Sequence, residues 1–182
     1  AEILAVDKEE LDLTDFQALR NALAQFQPDV IINCAAFTNV DGCETSQDTA
    51  FLVNSVVVQQ LALYAAEHDC KLVQVSTDYV FAGNGTSPYK EWDACAPNSI
   101  YGKSKHLGEQ YALSCGKAFV PFCSWRLNES IAQNMGHLGS KGNHFIVFPC
   151  SCHGEETEIA GLQGVFYTVQ QLHIVKNRRD QH

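Results

Sequence analysis

Tyr101 and Lys105 stand four residues apart in the stretch YGKSK at the start of a predicted helix, so both side chains lie on one helix face. An ammonium group beside a phenol favours the phenolate, which makes a tyrosine usable as a general acid or base. The spacing alone is weak evidence, because such pairs also occur on solvated helix faces. A second chemical group is needed to give the pair a function.

Thr77 supplies that group. It belongs to the stretch VSTDYVF (75–81) and precedes Tyr101 by 24 residues. Ligands of open α/β sheets bind beyond the carboxyl ends of the strands, and Ser76, Thr77 and Asp78 fall at such an end. The Thr77 hydroxyl can hold a substrate carbonyl while Tyr101 donates a proton to the same oxygen. The predicted catalytic triple is Thr77, Tyr101 and Lys105.

The hydrophobic pattern predicts strands and helices that alternate along the chain. The predicted strands are 2–6, 29–36, 71–77 and 118–125, and the predicted helices are 15–27, 46–69 and 101–115. Pro121 weakens the last strand, and Thr14 or Asp15 caps the first helix. Alternation of this kind is typical of an α/β fold with a Rossmann-like, doubly wound parallel sheet.

The composition narrows the class of protein. Hydrophobic residues make up 46% and charged residues 18% of the 182 residues, which favours one folded core over disorder. No run of about 18 apolar residues and no signal peptide is evident, so no membrane contact and a cytoplasmic location are expected. The net charge is -9, and residues 1–100 hold 15 acidic against 4 basic residues, which argues against nucleic-acid binding.

The eight cysteines are spread along the chain, so thiols are expected rather than a disulfide framework. The close group Cys150-Ser-Cys152-His153 could bind a metal, but it lacks a second Cys or His pair at zinc-site spacing. We therefore predict a loop there and no metal site.

Several ordered motifs together resemble the dTDP-4-dehydrorhamnose reductase family, within the extended short-chain dehydrogenase/reductases. They are NCAAFTNVD (33–41), AFLVN (50–54), STDYVF (76–81) and SPYKEWDACAPNSIYGKSKHLGEQ (87–110). The likeness runs from about Leu11 to Trp125. It implies NADPH-dependent (or NADH-dependent) reduction of the 4-keto group of a dTDP-linked deoxysugar, for dTDP-L-rhamnose and cell-surface polysaccharide. A nucleotide-sugar substrate and a homodimer are the partners that it suggests.

The resemblance also assigns roles to individual residues. Tyr101 is the proton donor, Lys105 orients the nicotinamide ribose and Thr77 binds the reacting oxygen. The residues that match cofactor-binding positions, besides Tyr101 and Lys105, are Asp12 and Leu13 near the adenine and Cys34, Ala35 and Ala36 in the turn along the cofactor. Two alternatives stay open: Asp12 begins a helix cap, and Asn54 only bonds a neighbouring loop.

The chain departs from the family pattern at both ends. EILAVD (2–7) corresponds to the second strand of the sheet, so the first βα unit with its Gly-rich phosphate turn is expected to be lacking. Gly136, Gly139 and Gly142 have a suitable spacing but no strand or helix around them, which favours a plain loop. Residues 1–125 are predicted to form a partial NAD(P)-binding domain, and 126–182 a divergent segment without a predicted domain.

Two other functions are compatible with these departures. The chain can be a non-catalytic binding module, resembling the regulatory subunit of methionine adenosyltransferase. It can also be an inactive or frame-shifted gene fragment.

Overall fold

The computed structural model describes residues 2–85, 89–90, 92–123 and 172–176. The strands are β1 (Glu2–Val6), β2 (Val30–Asn33), β3 (Lys71–Gln74), β4 (Ser76–Thr77), β5 (Ala118–Phe119), β6 (Phe122–Cys123) and β7 (Leu172–Lys176). The helices are α1 (Phe16–Phe26), α2 (Val40–Thr45), α3 (Gln47–Phe51), α4 (Val57–Glu67) and α5 (Ile100–Leu113). The predicted α/β class is confirmed.

The main sheet has the order β1-β7-β2-β3-β5. Strands β2, β3 and β5 pair in parallel, whereas β7 runs antiparallel to both β1 and β2, which are therefore parallel to each other. The strand predicted over 71–77 is interrupted at Val75, and β4 then pairs with β6 as a separate short ladder. The carboxyl ends of β1, β2 and β4 carry the residues that the sequence assigns to cofactor and substrate.

Strand β7 corrects the prediction that 126–182 contains no element. It lies between β1 and β2, and its side chains Leu172 and Ile174 are fully buried. Both belong to the main hydrophobic core, together with Leu19 from α1 and Leu72 from β3. A strand of five residues is too short to show a clear hydrophobic periodicity, which is why the sequence pattern missed it. Its partner strands also lie more than a hundred residues away in the chain.

The helix predicted over 46–69 is present, but it is not uniform. A π-helical turn (Leu52–Val56) joins α3 to α4. Such a turn widens the backbone locally and often occurs at functional sites. It brings the buried residues Asn54 and Ser55 against α5, where a Cβ on Gly108 would lie 2.2 Å from the Asn54 carbonyl oxygen. Glycine at 108 therefore permits this close helix contact.

The expectation that no segment could cross a membrane needs a correction. The continuous helical stretch Gln47–Glu67 is long and apolar enough by length and composition, with a mean hydropathy of 1.4 over an 18-residue window. Half of that window is buried inside the protein. Val57, Val58 and Leu61 of α4 are fully buried in the main core, so packing against the sheet accounts for their apolar character.

Candidate functional site

The start of α5 is fixed against the segment that follows β4. Ser99 caps the helix, since its hydroxyl oxygen accepts a hydrogen bond from the Gly102 N–H at 3.1 Å. A Cβ on Gly102 would lie 2.3 Å from the Tyr79 carbonyl oxygen, so only glycine allows this approach. The rings of Tyr79 and Tyr101 meet edge to face with centroids 5.5 Å apart. Tyr101 is therefore held beside the turn that begins at Thr77.

Lys105 lies one helical turn further along α5. Its Nζ donates a hydrogen bond to the Val75 carbonyl oxygen at 2.6 Å, two residues before Thr77. The exposed fractions of Thr77, Tyr101 and Lys105 are only 6%, 8% and 5%. Tyr101 and Lys105 of α5 therefore pack on the segment Val75–Tyr79, which contains Thr77, and all three side chains are screened from bulk water.

Thr77 also has a local structural role. Its hydroxyl oxygen accepts from the Tyr79 N–H at 3.3 Å, and the hydroxyl donates to Asp78 Oδ1 at 3.3 Å. These bonds cap the short 3-10 turn Asp78–Val80. The turn orients the hydroxyl at the end of β4, and both bonds are long enough to be exchanged for a stronger partner.

Asn54 connects the loop after β2 to α5. Its Oδ1 accepts from the Phe37 N–H at 2.7 Å, and its Nδ2 donates to the Phe37 carbonyl at 3.1 Å and to Ser104 Oγ at 3.0 Å. Ser104 Oγ in turn donates to the Tyr101 carbonyl at 2.8 Å. The expectation that Asn54 bonds a neighbouring loop is confirmed, while its link to the helix of Tyr101 and Lys105 was not foreseen.

A pocket of about 380 Å³ opens at the carboxyl ends of β1 and β2. Its walls consist of Val6, Asp7, Lys8, Leu11, Asp12, Leu13, Thr14, Ala35, Ala36, Phe37, Thr49, Leu52 and Val53. Four of the predicted cofactor residues, Asp12, Leu13, Ala35 and Ala36, are therefore brought together. Cys34 directly follows β2 and is not among the described residues that line the pocket.

The turn between β2 and the pocket is shaped by Asn33. Its Nδ2 donates to Gln74 Oε1 at 2.7 Å, and its Oδ1 accepts from the Ala35 N–H at 3.1 Å. Asn33 is fully buried, so these bonds satisfy a polar side chain inside the sheet. They place Ala35 and Ala36 at the pocket wall, where small side chains leave room for a ligand.

Asp12 does not cap α1, because Asp15 does so by accepting from the Gln17 and Ala18 N–H groups. The Asp12 carboxylate instead accepts from the Thr14 N–H at 2.9 Å and from the Thr14 hydroxyl at 2.7 Å. These two bonds lower the pKa of Asp12 from its ordinary value of 3.8. The side chain is exposed and ionised at neutral pH, at the rim of the pocket.

Asp7 and Lys8 line the pocket directly after β1 and were not predicted from the sequence. The rule that singled out Thr77 applies to them as well, since they lie at the carboxyl end of a strand. The glycine triplet of 136–142 and the Cys150–His153 group lie outside the described residues. The described cysteines Cys34, Cys43, Cys70, Cys95 and Cys115 are free thiols.

The chain is similar in sequence to known proteins. A family model for the RmlD substrate binding domain matches residues 1–147, so the likeness extends past Trp125. Spore coat polysaccharide biosynthesis protein SpsK of Bacillus subtilis is 43% identical over 109 residues, covering 60% of the chain and 38% of that protein. The dTDP-4-dehydrorhamnose reductase of Escherichia coli is 33% identical over 155 residues, covering 85% and 48%.

A solved structure agrees with these sequence matches. The dTDP-4-dehydrorhamnose reductase of Bacillus anthracis, in complex with NADP, superimposes with a TM-score of 0.64 at 35% identity, over 74% of this chain and 50% of that one. The chain spans about two-fifths to one half of the length of these relatives.

Proposed function

Because the chain belongs to the RmlD substrate binding domain family, we propose that it carries the cofactor pocket and catalytic triple of an NADPH-dependent reductase. The substrate proposed is a dTDP-linked deoxysugar with a 4-keto group. Relatives named dTDP-4-dehydrorhamnose reductase support this choice. The observation that supports the proposal is that Thr77, Tyr101 and Lys105 are all buried, and that Tyr101 and Lys105 of α5 pack on the segment Val75–Tyr79 that contains Thr77.

The pocket suits the adenosine half of a dinucleotide. Its volume of about 380 Å³ lies within the range of about 300–1,000 Å³ for small-molecule sites. Ala35 and Ala36 would lie against the cofactor, and Leu13 would contact the adenine. Asp7 can accept hydrogen bonds from ribose hydroxyls, whereas the Lys8 ammonium suits a 2′-phosphate. Bound NADPH supplies the hydride of the reaction.

The catalytic triple supplies the proton and stabilises the phenolate that the proton leaves behind. Tyr101 donates its phenolic proton to the carbonyl oxygen of the sugar, and Thr77 holds that oxygen by a hydrogen bond. The Lys105 ammonium stabilises the resulting phenolate, an effect that is stronger at a site so little exposed to water. Its bond to the Val75 carbonyl holds the ammonium beside β4.

A fluorescence titration with NADPH tests the pocket. We expect micromolar binding, weakened at least about tenfold by Ala36→Phe, which fills the pocket with a ring. Ala66→Phe, on the exposed face of α4, is the matched control and should bind as the wild type does. Absence of binding at millimolar NADPH would contradict the proposal. Binding without consumption of NADPH in the presence of the keto-sugar would favour the non-catalytic binding module.

A further inference from the structure

Three side chains with different metal-binding groups meet at α5, and none of them belongs to the proposed catalytic triple. The Cys95 sulfur, a ring nitrogen of His106 and a carboxylate oxygen of Glu109 all lie within 4.8 Å of one another. His106 and Glu109 are three residues apart on the helix, and Cys95 comes from the preceding loop. Thiolate, imidazole and carboxylate are together a ligand set that suits zinc.

Glu109 is the central member of this group. It is 5% exposed, and its Oε2 lies 3.0 Å from His106 Nδ1. Among the residues that the structure describes, His106 is the one ion-pair partner of Glu109, and an imidazole balances a negative charge only when it is protonated. A buried carboxylate without a full countercharge is costly, and a divalent cation would supply that charge.

Neighbouring groups fix which atoms of Glu109 and His106 face each other. Ser76 Oγ donates to Oε1 of Glu109, which leaves Oε2 on the side of His106. Gln110 Nε2 lies 3.3 Å from His106 Nε2, so the other ring nitrogen, Nδ1, is the one that faces the carboxylate. The Cys95 loop is anchored next to the ligand, since the Ala96 N–H donates to the Val80 carbonyl at 2.9 Å.

We propose that Cys95, His106 and Glu109 bind one Zn²⁺ ion, which joins the loop before α5 to the helix. Ligand atoms around a tetrahedral zinc lie roughly 3.3–3.7 Å apart, given bond lengths of about 2.0–2.3 Å. The 3.0 Å between His106 Nδ1 and Glu109 Oε2 is close to this spacing, and the Cys95 sulfur lies within 4.8 Å of both ligand atoms. The side chain of His106 is 27% exposed, so water reaches the fourth position.

Metal binding has a definite proton balance. A cysteine thiol that binds no metal is mostly protonated at neutral pH. Zinc replaces that proton: the S–H bond breaks, a Zn–S bond forms and one H⁺ passes to solvent. No oxidant or reductant takes part.

Calorimetric titration of the metal-stripped chain with ZnCl₂ tests the proposal. The starting protein carries Cys150→Ser and Cys152→Ser, which removes the other Cys/His group. We expect one equivalent of zinc to bind, with affinity lowered at least tenfold by Cys95→Ser and by His106→Gln. Cys115→Ser, at another half-buried cysteine, is the matched control and should change nothing. Titrations in two buffers should give about one proton released per zinc, and none in Cys95→Ser.

Cobalt provides a second readout that does not depend on affinity. Co²⁺ bound at this site should show a thiolate-to-cobalt charge-transfer absorption band, which Cys95→Ser removes and Cys115→Ser keeps. Circular dichroism establishes that each variant is folded. No zinc uptake, or uptake with the same affinity and proton release in folded Cys95→Ser, would overturn the proposal. Neither measurement involves NADPH or the keto-sugar, so failure of the reductase proposal would leave this result standing.

Discussion

Asn54→Ala should destabilise the protein and weaken cofactor binding together. The side chain makes three hydrogen bonds, two to the backbone of Phe37 and one to Ser104, and it is 1% exposed. At about 1 kcal/mol for each bond, with a similar cost for groups left unsatisfied, the free energy of unfolding should fall by about 2–4 kcal/mol. Since Phe37 lines the pocket, NADPH affinity should fall as well.

Urea unfolding followed by circular dichroism measures the first effect and NADPH fluorescence the second. Asn21→Ala is the control, because Asn21 on α1 accepts one exposed bond from Gln17. That bond is worth at most about 0.5 kcal/mol. If Asn54→Ala lowered the free energy of unfolding no more than Asn21→Ala does, the hydrogen bonds that join the loop after β2 to α5 would not stabilise the fold. That result would contradict the prediction.

Three further predictions concern the close contacts, the cofactor and the core. Gly102→Ala should lower both stability and reductase rate, because its Cβ would meet the Tyr79 carbonyl at 2.3 Å; an unchanged rate would contradict the close packing. Lys8→Ala should weaken NADPH binding about tenfold while NADH binding is kept, which paired titrations measure. Burial raises the pKa of the Cys70 thiol from 9.0 to about 11, so at pH 8 it holds about 100-fold less thiolate than an ordinary thiol. Mass spectrometry after alkylation should show Cys70 reacting far more slowly than the partly exposed Cys34.

Local patterns predicted most of the first 123 residues of the fold. The helix of Phe16–Phe26 follows from apolar spacing and from the cap at Asp15, both of which are local signals. The split of the predicted strand at Val75 was not predictable in this way. Val75 has partners in distant parts of the chain: its N–H donates to the Asn33 carbonyl, and its carbonyl accepts from the Lys105 ammonium.

The pairing of strand β7 could not be predicted from local patterns either. Its register with Val30–Asn33 is a tertiary property, because five residues can pair wherever a sheet offers unsatisfied backbone groups. Thr77 was predicted because ligands of open α/β sheets bind beyond the carboxyl ends of strands. The same rule applied to β1 would also have located Asp7 and Lys8. The group of Cys95, His106 and Glu109 has no spacing typical of a zinc motif, and only the packing of the loop on α5 brings it together.

The π-helical turn is the remaining feature of the site that the sequence did not predict. The residues of Leu52–Val56 have ordinary helical spacing, so nothing local predicts the extra residue in the turn. Contact with α5 at Gly108 and the bonds of Asn54 favour it in the folded state. The turn places the Asn54 amide between the loop after β2 and α5.

We propose that Tyr101 donates the proton when NADPH reduces a dTDP-linked 4-keto sugar. The most direct test of this proposal is a single-turnover measurement of NADPH oxidation, with the wild type, Tyr101→Phe and the control Tyr111→Phe, on the same helix. We expect Tyr101→Phe to bind NADPH like the wild type but to oxidise it at least about 100-fold more slowly, while Tyr111→Phe behaves like the wild type. Equal rates in Tyr101→Phe and the wild type would contradict it.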